Sequence, residues 1–237
     1  MKPNKFLTTL TLLLGITLSL SFQSCSTTKS SQNKGTTGKQ SAKVANDSEV
    51  ASLYEQIEQG GEIKLPKRTY YLDRPLVIMN QNDLVLDGNS SIFIMKDKNE
   101  DVMTIRSSTN ITLKNFKATH IEPEGPIGCT GSVIQLDGNN AIMIKNCQLN
   151  GSGIIGVVAY NTTKLAVQDC YIYNNSQYGI LFDENTSLEI KGNQFEYNGQ
   201  GGKNHVGKAL NAYLSEVEAI GEDVNRAGLK MSGNTFK

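Results

Sequence analysis

The sequence predicts an all-β fold in which short strands stack into a solenoid. Two observations carry this prediction: apolar and polar residues alternate over short runs from Leu76 onward, and one eight-residue template recurs from Ile111 to the end of the chain. Alternation with a period of two is typical of strands. A repeat made of very short strands buries its apolar face only when the next repeat stacks on it, about 4.8 Å away.

The template consists of apolar residues at its first, third and eighth positions, two polar residues or a polar residue and Gly at its fourth and fifth, and Phe, Cys or Asn at its sixth. Its five copies are ITLKNFKA from Ile111, IMIKNCQL from Ile142, LAVQDCYI from Leu165, LEIKGNQF from Leu188 and LKMSGNTF from Leu229. The steps from Ile142 to Leu165 and from Leu165 to Leu188 are both 23 residues. A second strand pattern precedes four of the copies, so the repeat predicts five to six coils of a solenoid.

Residues 61–237 resemble the right-handed parallel β-helix proteins of the pectate-lyase-like superfamily. The residues that carry the likeness are Lys64–Pro66, Tyr70–Leu72, Gly156–Val157, Gly179–Ile180, Asn193 and Asn234. The first two resemble the opening strand of that family, the glycine pairs resemble the start of its later strands, and the asparagines stand where the family stacks an inward ladder. The resemblance implies a right-handed parallel β-helix. It implies no particular reaction, because the same solenoid hosts lyases, hydrolases, epimerases, adhesins and inert structural proteins.

Two helices are expected beside the coils. Residues 48–59 carry apolar residues at helical spacing, with Asn46 and Glu49 as a capping box and Gly60-Gly61 as the end, which predicts a short N-terminal capping helix. The step from Leu188 to Leu229 is 41 residues, and apolar residues within 208–224 also recur at helical spacing. This pattern predicts an inserted amphipathic helix that covers an open end or side of the solenoid.

The first 46 residues differ in character from the rest of the chain. Lys2 and Lys5 precede 15 uncharged, mostly apolar residues, which is typical of a secretory signal, and the following Ser24-Cys25 resembles the end of a bacterial lipoprotein signal peptide. The resemblance implies cleavage before Cys25, lipidation of its thiol, and export to a bacterial outer membrane or cell surface. A permanent N-terminal anchor and cleavage without lipidation are the alternatives. Residues 26–46 read as a flexible tether, and residues 47–237 as the β-helix domain.

Charge excludes one class of partner. Residues 47–237 hold all 23 acidic residues but only 17 of the 23 basic ones, a formal charge of −6 with four scattered arginines. Nucleic-acid binding needs a basic stripe, so no nucleic acid is expected as a partner.

The cysteines beyond Cys25 are three, and an odd number cannot all pair within the chain. Cys147 and Cys170 occupy the same template position in adjacent coils, where we expect stacked free thiols; a disulfide between them is the alternative. His120 and His205 are the only histidines, and they stand at no recognisable metal-ligand spacing. No metal or other cofactor is expected, although a calcium site of Asp137, Asp183 and Glu184 is an alternative.

A candidate catalytic site follows from strand alternation. If Ile134, Val157 and Ile180 point inward, the residues at the ends of these strands form one outward column, which we call the Arg106 column; its members are Arg106, Asp137, Tyr160 and Asp183. Asp137 and Asp183 would lie two strands apart, roughly 10 Å, close to the separation used by inverting glycosidases. The loop 119–132 is expected to roof this column and to contribute His120 and Glu122. A surface ion pair and turn-solvating carboxylates are the alternatives.

A candidate binding surface lies on the strands after the cysteine stack. Tyr171 and Tyr173 should point outward among amide and carboxylate side chains, a combination that suits stacking on sugars and hydrogen bonding to them, but that is also common on a plain β-surface. The sequence therefore favours a lipid-anchored envelope protein that presents an elongated face to a glycan. Polysaccharide lyase or glycoside hydrolase activity is left open, because no diagnostic catalytic motif is present. The alternative is a non-catalytic structural or protein-interaction solenoid that docks a protein partner at its C-terminal edge.

Overall fold

The structure, a computed structural model, describes residues 42–121, 130–150, 154–199, 202–210 and 216–237. The predicted signal peptide, Cys25, the tether up to residue 41, Glu122 and Cys129 lie outside these ranges. Within them, no helix combines the length and the apolar character required to cross a bilayer.

One helix and 21 strands make up the described parts of the chain. In chain order they are β1 (Lys43–Val44), α1 (Asp47–Gln59), β2 (Glu62–Lys64), β3 (Arg68–Leu72), β4 (Leu76–Met79), β5 (Val85–Met95), β6 (Met103–Arg106), β7 (Thr109–His120), β8 (Ile134–Asp137), β9 (Asn140–Lys145), β10 (Gln148–Asn150), β11 (Ile155–Tyr160), β12 (Thr163–Gln168), β13 (Tyr171–Tyr173), β14 (Tyr178–Phe182), β15 (Leu188–Lys191), β16 (Gln194–Glu196), β17 (Val206–Ala209), β18 (Val217–Ile220), β19 (Asn225–Arg226), β20 (Leu229–Ser232) and β21 (Thr235–Phe236).

Parallel strands form three faces around one core, as expected for a right-handed β-helix of about six coils. The first sheet runs β4-β6-β8-β11-β14-β17 and ends in β18. The second is built from β2, the first halves of β5 and β7, and then β9, β12, β15 and β20. The third is built from β1, β3, the second halves of β5 and β7, and then β10, β13, β16 and β21. The predicted fold class is confirmed.

The helix α1 closes the N-terminal end of the core. Both halves of its predicted capping box are present, since the Asn46 side chain accepts from the Glu49 N–H at 2.9 Å and the Glu49 carboxylate accepts from the Asn46 N–H at 3.0 Å. Leu53 and Ile57 are buried on its inner face. Gly60, with a φ of 72°, ends the helix.

The predicted inward ladder stands at the corner between the second and third sheets. The Cys170 N–H donates to Asn193 Oδ1 at 2.8 Å, and the Asn193 N–H donates to Asn234 Oδ1 at 2.9 Å. Cys147 and Cys170 are both buried free thiols, as expected. Burial raises the pKa of the Cys147 thiol well above its usual range. The other two corners carry similar ladders that the template did not predict, such as the Asn139 side chain bonded to the Ser108 N–H and Asn175 bonded to Asn198.

Glycine is the second residue of the fourth and fifth strands of the first sheet because no side chain fits there. A Cβ on Gly156 would lie 2.5 Å from the Gly179 carbonyl oxygen, and a Cβ on Gly179 would lie 2.6 Å from the His205 carbonyl oxygen. These contacts are with backbone one coil further on, so the glycines let adjacent coils approach closely.

The predicted inserted helix over 208–224 is wrong in the part of it that the structure describes. β17 and β18 instead pair antiparallel, with Val206 opposite Ile220, and β19 pairs antiparallel with β20. β17 is the last parallel strand of its sheet, and β18 supplies the hydrogen bonds that its free edge lacks, which a helix could not do. Residues 211–215 lie outside the described ranges.

A bidentate ion pair joins the two C-terminal antiparallel strands. The Arg226 guanidinium donates to both carboxylate oxygens of Glu218, at 2.8 and 2.6 Å. Because Glu218 belongs to β18 on the first sheet and Arg226 to β19 on the second, the pair connects the last strands of two faces. We call β18, β19 and this ion pair the C-terminal cap.

Candidate functional site

The Arg106 column has the register that alternation predicts. Arg106 is paired with Asp137 and Asp137 with Tyr160 on successive strands of the first sheet, and Asp183 directly follows Phe182, which is paired with Ala159. Asp137 and Asp183 are therefore two strand spacings apart. In the described part of the chain, Arg106 and Asp137 form no ion pair within 4 Å, although they are neighbours in register.

Asp183 is engaged in the turn that follows its strand. Its carboxylate accepts from the Asn161 N–H at 3.2 and 3.1 Å and from the Thr186 hydroxyl at 2.6 Å, with the Asn185 amide at 3.4 Å. These donors satisfy the lone pairs that a general acid or base would need for a substrate. The geometry agrees with the alternative in which this carboxylate organises a turn.

Tyr160 belongs to an apolar cluster on the outside of the first sheet. Ile155, Val158 and Leu181 are buried there, and Tyr160, Tyr178 and Val217 pack against them half-buried. Burial, followed by the neighbouring charge of Asp183, raises the pKa of the Tyr160 hydroxyl. The C-terminal half of this face is therefore packed with apolar side chains around the predicted column.

His120 does not lie on a loop over the Arg106 column. It is the last residue of β7, its side chain is buried with 2% exposure, and its Nε2 lies 2.8 Å from the Glu100 carbonyl oxygen. Alternation turns it inward, since it is paired with buried Met95, and burial lowers the pKa of its imidazole. The prediction of His120 as a ligand contact is therefore wrong in its placement. Glu122 lies outside the described residues.

Metal ligands do not gather in the ranges that the structure describes. No three residues among His, Cys, Asp and Glu come together there in a group able to hold an ion. Asp137, Asp183 and Glu184, the residues of the calcium alternative, lie within these ranges and form no such group.

The surface around Tyr171 and Tyr173 brings together more of the predicted residues. On β10, β13 and β16 the outward positions form two columns in register, and we call these six residues the tyrosine face: Gln148, Tyr171 and Gln194 in one column, and Asn150, Tyr173 and Glu196 in the other. Between the columns, Leu149, Ile172 and Phe195 are fully buried in the core. The strands therefore fix the spacing of the outward residues.

The two tyrosine rings lie face to face on one strand. Their centroids are 4.1 Å apart with an interplanar angle of 11°. The Tyr171 hydroxyl donates to Glu196 Oε2 at 2.6 Å, and the Gln194 amide donates to the same oxygen at 3.3 Å. The pKa of Tyr171 is raised, first by burial and then by the hydrogen bond to Glu196 and its charge, with smaller contributions from Tyr173 and Tyr197. The pair is thus held in one orientation by a carboxylate on the next coil.

One residue of this surface escaped the sequence analysis. Tyr197 directly follows β16, is 64% exposed, and has a φ of 51°. Its counterpart one coil earlier is Asn174, also left-handed at 54°. The sequence did contain a signal for this residue: position 197 holds an aromatic residue where the preceding coil has Asn at the same turn position.

The comparisons with known proteins concern the fold. Residues 76–219, well over half of the chain, match the family described as "Right handed beta helix region". No curated protein matches the sequence. The crystal structure of PfbA, a surface adhesin of Streptococcus pneumoniae, is similar to this chain with a TM-score of 0.47 and 15% identity, over 63% of this chain and 45% of that one. This chain therefore spans less than half of the adhesin chain it matches. On the match over residues 76–219 and the three-faced solenoid described above, the chain belongs to the right-handed β-helix family.

Proposed function

We propose that this β-helix protein binds an extended glycan on the tyrosine face and does not cleave it. One observation carries the proposal: Tyr171 and Tyr173 are stacked at 4.1 Å and braced by the Glu196 carboxylate, so a rigid aromatic group stands beside hydrogen-bonding side chains. Tyrosines give large contact area at a small entropic cost, and amides and carboxylates bond to sugar hydroxyls.

The shape of the face supports a chain-like ligand. The tyrosine face crosses three strands at a spacing of about 4.8 Å, and its polar groups repeat at that spacing on both sides of the tyrosines. A ligand lying along the solenoid axis meets the Gln148 and Asn150 amides, then the aromatic pair, then Gln194 and Glu196. An oligosaccharide presents hydroxyls and apolar ring faces along its length in a similar succession.

The Arg106 column supports catalysis less well than the tyrosine face supports binding. Asp183 already accepts hydrogen bonds from Asn161 and Thr186, and the column has no second free carboxylate beside Asp137. A glycosidase requires two carboxyl groups with different roles. The proposal is therefore a recognition protein.

The alternative, a structural or protein-interaction solenoid, has less free strand edge at its C-terminal end with which to bind a protein partner. The C-terminal cap already pairs antiparallel strands with the last strands of the first and second sheets, which leaves β21 of the third sheet.

The proposed location rests on the N-terminal sequence. A charged start, 15 uncharged residues and Ser24-Cys25 support export and lipid attachment at Cys25, which would hold the β-helix at a bacterial surface. Such a location brings the tyrosine face to envelope or environmental glycans.

Binding of the full chain, purified in detergent micelles, to an array of neutral and acidic oligosaccharides tests the proposal. We expect at least one oligosaccharide to bind without new reducing ends or unsaturated products. The double variant Tyr171→Ala with Tyr173→Ala should abolish that binding. Tyr71→Ala is the matched control, because Tyr71 is an exposed tyrosine of the same third sheet on β3, four strands away. No binding by the wild-type chain, or equal loss in the control, would overturn the proposal.

A further inference from the structure

Tyr197 combines exposure with an unfavourable backbone conformation. Its ring is the most exposed large apolar side chain in the described part of the protein, at 64%. Its φ of 51° lies in the left-handed region, which Gly, Asn and Asp adopt readily and bulky residues do not. Because the side chain faces solvent, burial of apolar surface does not offset the energetic cost of this backbone conformation.

The fold does not need a tyrosine at this position. Asn174 fills the equivalent turn one coil earlier with a φ of 54°, and both positions precede a buried asparagine of the same corner ladder, Asn175 and Asn198. The backbone of Tyr197 is held by its N–H, which donates to the Lys237 carbonyl oxygen at 3.2 Å. An asparagine at 197 would satisfy the same turn, so the side chain itself calls for an explanation.

The chain places Tyr197 next to the tyrosine face. Tyr197 follows Glu196 in the chain, and Glu196 is paired with Tyr173 and bonded to Tyr171. The ring therefore stands at the rim of the tyrosine face. Exposed residues in strained conformations cluster at ligand-binding sites.

We propose that Tyr197 is a ligand-contacting residue that extends the tyrosine face, and that the ligand is an uncharged glycan. This inference rests on the proposed function and names both a further binding residue and the class of sugar. The only charge among the outward residues of β10, β13 and β16 is the Glu196 carboxylate, and the neighbouring lysines, Lys117 on β7 and Lys237 after β21, lie outside the tyrosine face. Glu196 accepts hydrogen bonds from sugar hydroxyls but repels the carboxylate of a uronic acid.

Hexamers of β-linked glucose, of N-acetylglucosamine and of galacturonic acid serve as probes, with the full chain in detergent micelles. We expect one of the two neutral hexamers to bind and the galacturonate hexamer to bind at least about 10-fold more weakly. Tighter binding of the galacturonate hexamer would overturn the assignment of sugar class and leave the glycan-binding proposal standing.

Two variants at position 197 separate a binding role from a structural one. Tyr197→Asn should weaken binding of the neutral hexamer about 5-fold and at the same time raise the melting temperature, because Asn tolerates the left-handed turn. Tyr197→Phe should keep the affinity within about 2-fold, since the ring remains.

The outcomes distinguish the inference from the function on which it rests. If Tyr197→Asn binds like the wild-type chain while the Tyr171→Ala, Tyr173→Ala double variant does not bind, Tyr197 is no part of the site and the proposed function stands. If the wild-type chain binds no hexamer and no array glycan, the proposed function fails and the inference fails with it.

Discussion

Single residues at the corners hold one coil to the next. At the corner between the second and third sheets, Asn193 donates to the Val167 carbonyl oxygen at 2.8 Å and accepts from the Cys170 N–H, so one side chain binds two backbone groups of the preceding coil. Cys170 fills the same slot less well: its Sγ lies 3.7 Å from the Ile144 carbonyl oxygen. A thiol is a weak donor and a weak acceptor, so the ladder loses strength at its cysteine end.

Replacing Cys170 by Asn should therefore extend the ladder and stabilise the fold. The amide would reach the Ile144 carbonyl oxygen as Asn193 reaches that of Val167, a gain of about 1 kcal/mol that raises the melting temperature by roughly 2–4 °C. Cys170→Val, which fills the slot without a hydrogen bond, is the matched control and should melt below wild type. Thermal unfolding followed by circular dichroism measures both; an Asn variant that melts below the Val variant would contradict the ladder argument.

Residue patterns in the sequence predicted inward and outward positions well and hydrogen-bond partners poorly. Alternation alone placed Arg106, Asp137 and Tyr160 in register, because strand geometry fixes it. The role of Asp183 depends on Asn161 and Thr186, which approach it only after the coils stack. His120 was assigned to a loop because the repeat lengthens after it, whereas β7 continues through it.

At the scale of elements, the C-terminal cap is the part of the fold for which the prediction from sequence was wrong. Residues 208–224 have apolar residues three and four apart, and a helix and a β-hairpin both satisfy such spacing when the segment is short. The segment forms a β-strand because the free edge of β17 pairs antiparallel with β18. That edge exists only in the assembled solenoid, so local periodicity could not reveal it.

The ion pair across the cap gives it a dependence on pH. The hydrogen bond and charge of Arg226 lower the pKa of Glu218, so the pair stabilises the fold above the ordinary glutamate value of 4.5 and the contribution is lost as the pH falls through the lowered pKa. Both side chains are about 40% exposed, which limits the effect to roughly 0.5 kcal/mol.

The variant Glu218→Gln should therefore melt below wild type at pH 7, and the difference should narrow as the pH falls to 3. Melting temperatures of both proteins at the two pH values measure this difference. Glu216→Gln is the control, because Glu216 lies two residues away with no ion pair in the described part of the chain. A gap between Glu218→Gln and wild type that persists unchanged at pH 3 would mean that the charge of Glu218 is not what stabilises the cap.

At the scale of the whole molecule, the proposed binding face lies several coils away from the N-terminal end of the described solenoid. The described chain enters at β1, which pairs with β3, and four strand spacings of about 4.8 Å separate β3 from the tyrosines on β13. A lipid on Cys25 would be attached to the chain before β1, and the tyrosine face lies roughly 20 Å along the solenoid from β3, the strand with which β1 pairs. Membrane attachment and glycan binding should then be separable by mutation.

Cys25→Ala tests this separation in a bacterial host. The variant should lose incorporation of labelled palmitate and move from the membrane pellet to the soluble fraction, because its thiol is the proposed site of acylation. Its affinity for the glycan that the wild-type chain binds should stay within about 2-fold, since the tyrosine face is formed by the coils alone. Cys129→Ala, a second cysteine outside the proposed lipidation site, should keep both the label and the pellet location. Retention of Cys25→Ala in the pellet would instead point to an uncleaved apolar segment as the anchor, and loss of glycan binding on release would mean that the face needs the membrane to be presented.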